Sequence, residues 1–389
     1  MSPELKIGIV GAGIGGMTAA VALQQRGFEV VVYEQASELG EIGAGLTLSP
    51  NATRVLAGLG LEDEIETFAS ASPHIGTMDY KTGEPLAYVS RGAEEYLRLY
   101  GAVVRHMHRA DIHGVLVRAF DSDGERLRLG QQLVEIAQDD NQVSLSFANG
   151  QSDQCDVVVA CDGLKSTIRD RLFPTEPPRF TGYVAWRGVV ERSRVPQVNL
   201  DPHFASYRSE AQSFGRYPLR HATLINYVAM AHNPDFQLES WSERADVSEV
   251  LALYEDWYTD VVQIIRATPP QGCLRWALHS RQPLDSWVNG RVTLLGDAAH
   301  PMTPFLGMGA VMAFEDAAVL ARCFEAAAGD WQDALQRYER ARLHRANKIH
   351  TDSLKRGEYA LGSDPNARAR PVGEGLDEVF RYDAMTVPV

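Results

Sequence analysis

The apolar residues of this chain come first as a short run, Leu5–Val10, of strand length and close to the pattern of a buried parallel strand. A glycine-rich turn, Gly11–Gly16, interrupts it. The spacing then predicts a helix from Met17 to Gln25, ended by Arg26-Gly27, and a second apolar strand, Val30–Tyr33, that stops at Glu34. Strand, turn, helix and strand within about thirty residues make one βαβ unit. Two later segments, CDVVVACDG and GRVTLLGD, each read as a buried strand running into a turn.

The pattern changes between about Phe180 and Ser280. Segments such as YVAWRGVV and ATLINYVAMA predict an antiparallel sheet with one covered face. Residues 364–373, DPNARARPVG, predict a loop before a short tail. The chain shows no internal repeat and no low-complexity linker. The expected fold class is α/β, a Rossmann-type nucleotide-binding domain interrupted by a mainly antiparallel sheet domain and followed by C-terminal helices. The nucleotide-binding part is expected over 1–75, 100–179 and 281–350, the sheet domain over 76–99 and 180–280, and a helical tail over 351–389.

Composition narrows the partners. The 389 residues, 45% hydrophobic and 23% charged, suit about two globular domains rather than a disordered chain. A net charge of −14 argues against nucleic-acid or anionic-membrane partners but leaves room for a local basic pocket. Cys155, Cys161, Cys273 and Cys323 are widely spaced, which disfavours a disulfide framework or a zinc site. No metal is expected. The start MSPELKIGIV lacks a signal-peptide pattern, and no run approaches the roughly 18–20 apolar residues of a membrane span, so a cytoplasmic protein is expected.

Three motifs carry chemistry. In Gly11-Ala12-Gly13-Ile14-Gly15-Gly16, Gly11 permits a tight turn, Gly13 lets backbone approach a pyrophosphate, and Gly16 lets helix and strand pack closely. Glu34, ending the second strand, is placed to accept hydrogen bonds from a ribose. This predicts dinucleotide binding without separating FAD from NAD. The second and third motifs are Asp162-Gly163 and Gly296-Asp297, each a strand end that can aim a carboxylate at a sugar hydroxyl. Either alone would read as a plain turn.

Together with Gly43-Ala44-Gly45 after Glu41, HRADIH at 108–113, YVAWRG at 183–188, YPLR at 217–220 and GDAAHP at 296–301, these motifs give a resemblance over nearly the full length. The chain resembles the single-component FAD-dependent aromatic hydroxylases, the group of salicylate, 3-hydroxybenzoate and 6-hydroxynicotinate hydroxylases. The resemblance implies non-covalent FAD held by Gly11, Gly13, Gly16, Glu34, Arg109, Asp162 and Asp297, with Gly309 opening a helix toward the flavin. It implies Pro301 and Pro304 in the loop facing the flavin ring, and Tyr217, first in rank against the substrate, and Pro301 as the catalytic candidates. Thr47, Arg187, Ser213 and Arg216 are further substrate candidates, with Arg220 and His221 behind them. His300, His106 and His108 read as loop-structuring hydrogen bonders.

The implied reaction is hydroxylation of a small hydroxylated aromatic or pyridine carboxylic acid by O2 and NADH or NADPH, through a flavin C4a-hydroperoxide. No second GxGxxG is present, so the nicotinamide would meet a mobile flavin at a shared surface. A monomer or homodimer is expected. Two other readings stay open: a tailoring epoxidase or isoprenoid reductase, and a non-redox GDI-like binding protein.

Overall fold

The strand Lys6–Val10 lies inside a six-stranded sheet, flanked by Glu29–Tyr33 on one side and Val157–Ala160 on the other, both parallel to it. Ile7 sits opposite Val30 and Val157 in this register. Burial on both faces explains the unbroken β-branched runs. The strand Val292–Leu294 extends the sheet beyond Val157–Ala160. The computed structural model describes residues 5–40, 44–121, 124–233, 235–236, 243–361 and 375–389. Glu41 and Gly43 of the glycine match, and the loop expected over 364–373, lie outside the described residues.

The first helix runs Ile14–Gln24, beginning three residues earlier than the apolar spacing predicts. Gly13 is its extended N-cap, so the motif glycines themselves form its first turn. Small residues then allow close packing: Cβ atoms placed on Gly15 would stand 3.0 Å from Leu295 and 3.2 Å from Ala313. Ala313 belongs to the buried helix Gly309–Ala326.

A second, eight-stranded sheet takes its strands from residues 74–90 and 179–280. Its pairings are antiparallel except for Phe204–Arg208 beside His74–Asp79. The central strand Arg179–Glu191 pairs with Leu224–His232 and Leu274–Ser280. Val184, Trp186 and Val190 pack on one face, in a core shared with the helices Val247–Tyr254 and Thr259–Arg266. On the other face Ala185 packs with Trp276, Leu278 and Phe305. The expectation of one covered face is therefore corrected: the centre of this sheet is covered on both, because the nucleotide-binding half lies against the second.

The last long helix, Trp331–Ala360, crosses the boundary expected at 350/351 without a break. The described tail returns to the body of the protein. Arg54 donates to the carbonyls of Phe380 and Tyr382 at 2.6 and 2.5 Å, and the Arg345 guanidinium stacks 3.8 Å from the Tyr382 ring centre.

Candidate active site

The glycine turn divides its labour. Gly11 has φ +105°, and a Cβ there would meet the Cys161 carbonyl oxygen at 2.3 Å; one on Gly16 would meet the Gly11 carbonyl oxygen at 2.0 Å. Those two glycines serve the protein's own packing. A Cβ on Gly13 would find nothing within 4 Å, so the open approach lies at the helix N-terminus, where backbone N–H groups and the dipole favour a pyrophosphate. Glu34 closes the turn by accepting from Ala12 N at 2.8 Å and Ala36 N at 2.9 Å. His113, which the sequence reading passed over, contacts the Ala12 carbonyl through Nε2 at 2.6 Å.

Arg109 opens the helix Arg109–Phe120 directly after the strand Arg105–His108. Its side chain is open to solvent at the cleft, but the protein crowded around it pushes its pKa down, while the Asp297 carboxylate pulls the other way. Asp297 is likewise open to solvent, and the surrounding protein raises its carboxyl above the usual range, against the opposing pull of His300 and Arg109. A Cβ on Gly309 would lie 3.9 Å from Asp297 Oδ1, so the N-terminus of the Gly309–Ala326 helix abuts Asp297. The Asp162 side chain is otherwise engaged. It accepts from Ser166 Oγ at 2.5 Å and Ile168 N at 3.1 Å, bracing the start of the helix Thr167–Leu172. The Asp162 carboxylate thus braces its own loop beside Gly11.

Behind the GDAAHP loop lies a buried polar network. His300 Nε2 meets Asp316 Oδ2 at 2.5 Å, and the same oxygen accepts from Gly296 N at 3.2 Å. Arg342 approaches Asp316 at 2.8 Å and Glu315 at 2.6 Å, all three side chains having zero exposure. Glu315 also accepts from Arg345 and Asn51. His300 is therefore a loop-structuring residue, as its sequence context predicts.

On the substrate side, Tyr217 lies on the strand Gln212–Leu219 and faces the nucleotide-binding half. A Cβ on Gly45 would meet its ring at 2.5 Å and its hydroxyl at 2.9 Å. Its ring stacks on His106 at 4.5 Å and on Phe204 at 5.8 Å between centroids. Thr47 Oγ1 stands 3.1 Å from His106 Nδ1. His106 read as an ordinary histidine because only the pairing of Gly45–Leu48 with Arg105–His108 brings it opposite Thr47. Asn226, also unread, accepts from Gly45 N at 2.7 Å.

Arg187 stacks 4.9 Å from the Trp276 ring centre, and burial lowers its pKa to about 10, with Arg109 adding repulsion and Tyr217 the opposite pull. Burial also raises the Tyr217 phenol. Ser213 shares the strand parity of Tyr217, and its hydroxyl is buried without a hydrogen-bond partner among the described residues. Pro301, Pro304 and Asp297 face Trp276 and Leu278 across a narrow cleft. Arg216 does not join them. It points to the opposite face and donates to the carbonyls of Asn199, Pro202 and His203 at 2.6, 2.7 and 3.3 Å, a correction to its placing among substrate candidates. Arg220 is held bidentately by Asp111 at 2.8 and 2.9 Å, and His221 reaches the Thr67 carbonyl; neither enters the cleft. A larger cavity of about 170 Å3 beside Thr53, Arg54 and Arg105 contains none of the flavin-motif residues.

Two buried histidines give the fold a pH signature. Burial, and then the charge of His203, lowers His106 to about 3; burial, and then His300 and Arg169, lowers His350 to about 4. The unfolded chain takes up these protons near pH ~6.5 and the folded chain does not, so stability is full above that value and falls as pH drops. Between pH 8 and pH 5 each histidine is expected to remove about 2 kcal/mol. Urea midpoints measured across this range should show the decline, and His350→Gln should flatten it. A variant profile superimposable on the wild type would refute the assignment to His350.

Comparison with known proteins agrees with this geometry. Residues 4–353 match the FAD binding domain family. The chain is 37% identical to 3-amino-4-hydroxybenzoate 2-monooxygenase PtnB3 of Streptomyces platensis, over 99% of this chain and 97% of that protein. It is 32% identical to 6-hydroxynicotinate 3-monooxygenase of Pseudomonas fluorescens, over 100% of this chain and 98% of the relative. Among solved structures, Klebsiella pneumoniae HpxO complexed with FAD and uric acid superposes with a TM-score of 0.83 at 28% identity, covering 98% of this chain and 94% of that one. Among the described residues no helix is long and apolar enough to cross a membrane. The open cradle at Gly13, the pinned Glu34 and the solvent-accessible charges of Arg109 and Asp297 fit FAD, and the chain belongs to the FAD-dependent aromatic hydroxylases, a flavoprotein monooxygenase with NAD(P)H and O2 as co-substrates.

Proposed function

We propose that this enzyme hydroxylates a small ring carboxylic acid that already bears a hydroxyl group, with Tyr217 and Arg187 as the residues that hold it. The carrying observation is the placement of Tyr217 and the Arg187–Trp276 pair on the sheet face turned toward the FAD-binding loops. The relatives named above, whose names specify an aminohydroxybenzoate and a hydroxynicotinate, support a substrate of this chemistry.

FAD, held by the Gly11–Gly16 turn, Glu34, Arg109, Asp297 and the helix opening at Gly309, supplies the activation of O2 when reduced. The protein's own groups prepare the ring. Burial keeps the Tyr217 phenol protonated, so it donates a hydrogen bond to the substrate oxygen and favours the phenolate form. Arg187 and Arg109, near enough to repel one another, supply positive potential for an anionic ring. Pro301 and Pro304 shape an apolar wall that limits water at the reacting carbon. The four free cysteines and the absence of a membrane-crossing helix among the described residues support a cytoplasmic setting.

The test follows NADH and NADPH oxidation with and without hydroxylated benzoates and pyridine carboxylates, identifying product by mass. Oxidation should rise on adding the correct ring acid. Tyr217→Phe should keep its FAD but lose about 1–3 kcal/mol of transition-state stabilisation, seen as lower kcat/KM and more hydrogen peroxide per NAD(P)H. Unchanged kcat/KM and coupling in the variant would remove Tyr217 from the mechanism, and indifference to every ring acid would overturn the substrate class.

A further inference from the structure

Away from the flavin cradle, at the edge of the eight-stranded sheet, three metal-ligating side chains converge. His74 opens the strand His74–Asp79, while Asp201 and His203 lie on the turn leading into Phe204–Arg208. One candidate donor atom from each residue lies within 4.8 Å of the other two. His74 Nδ1 and Asp201 Oδ1 are 2.7 Å apart, and Tyr88 donates to the same carboxylate oxygen at 2.8 Å. The His74 and His203 rings meet edge to face with centroids 5.3 Å apart.

A second observation points to a ligand. His203 Nδ1 is buried and has no hydrogen-bond partner among the described residues. A buried imidazole nitrogen left without a partner carries a desolvation cost that a bound ion would offset. The turn that presents it is also well braced. Arg216 holds the carbonyls of Asn199, Pro202 and His203, Asn199 Oδ1 accepts from Asp201 N at 3.0 Å, and Asp260 accepts from Asn199 N at 3.1 Å.

We propose that His74, Asp201 and His203 form a binding site for a divalent transition-metal ion of the Zn2+ type, separate from the flavin chemistry. Two imidazole nitrogens and one carboxylate oxygen suit a borderline-soft ion and leave a position for water. Tyr88 then orients the ligating carboxylate from outside, as such sites commonly require. Bonds of roughly 2.0–2.1 Å in a tetrahedron place donors about 3.3 Å apart. The His74–Asp201 hydrogen bond therefore opens to admit the ion while His203 draws inward. The ion would tie the strand edge to the turn before Phe204, whose ring stacks on Tyr217.

Titration calorimetry of ZnCl2 into untagged, EDTA-treated, FAD-loaded protein tests this. One zinc ion per chain should bind with micromolar affinity in the presence of excess Mg2+. Asp201→Asn and His203→Ala should each weaken binding at least tenfold, and the double variant His74→Ala/His203→Ala should abolish it. FAD content and circular dichroism serve as the folding control. Wild-type protein without a saturable zinc site would overturn the proposal, as would a folded double variant that binds zinc like the wild type.

Discussion

Replacing Gly11 with alanine is expected to strip the protein of FAD and to destabilise it by about 3 kcal/mol or more. Two independent costs combine. The backbone there has φ +105°, a region that L side chains rarely adopt, and the added Cβ would lie 2.3 Å from the Cys161 carbonyl oxygen. The obstacle is backbone in the strand end beside the Asp162 loop, so no side-chain rotation relieves it. Relief requires the strands Lys6–Val10 and Val157–Ala160 to separate at their ends, which moves Ala12 away from Glu34 and Gly13 away from the pyrophosphate position. The measurement is flavin stoichiometry after purification, with thermal midpoints on reconstituted protein. A variant that keeps stoichiometric FAD and the wild-type midpoint would show that this turn is not under the constraint described. Gly13→Ala is the informative companion: with nothing within 4 Å, it should fold normally and still bind FAD more weakly.

The second large effect concerns Arg342. Arg342→Met should lower stability by about 3 kcal/mol, at the lower end of the range for breaking a buried ion pair. Arg342, Glu315 and Asp316 have no exposure, and the guanidinium bridges both carboxylates. Glu315 would keep Arg345 and Asn51, which limits the damage on that side. Asp316 would keep only the His300 imidazole and the Gly296 N–H among the partners described above. Those two partners sit on either side of Asp297, so the variant should also weaken FAD binding although residue 342 touches no cofactor group. Urea midpoints and FAD dissociation constants check the two halves. An unchanged midpoint would mean that the network contributes nothing net, as well-packed hydrophobic replacements sometimes show. A changed midpoint with unchanged FAD affinity would uncouple it from the loop.

Some placements were legible from strand parity alone. Ser213 and Tyr217 are an even number of residues apart and share a face of Gln212–Leu219; Arg216 falls on the other, so all three could not have met one ligand. Parity could not say which face looks toward FAD, because both faces of this sheet are apolar. Asp162 carried a local signal as well: Ser166 and the helix start follow it closely enough for its carboxylate to be used there. His106, Asn226 and the Arg342 network offered no such signal. Their partners, Thr47, Gly45 and Asp316, lie 59, 181 and 26 positions away.

The sequence by itself determined the βαβ cradle, its glycine roles and the identity of the family. Those features rest on contiguous backbone, where residue type and φ/ψ are directly linked, and on motifs whose spacing is covalent. Tertiary structure decided which side chains of the second sheet face the flavin, and that Arg187 lies near Arg109 and Tyr217. It also decided that Arg216 braces a turn instead of binding a substrate. The physical reason is that a strand specifies only the alternation of its side chains. Which alternate set becomes a binding wall is set by the surface laid against it, and here that surface comes from residues far away in the chain.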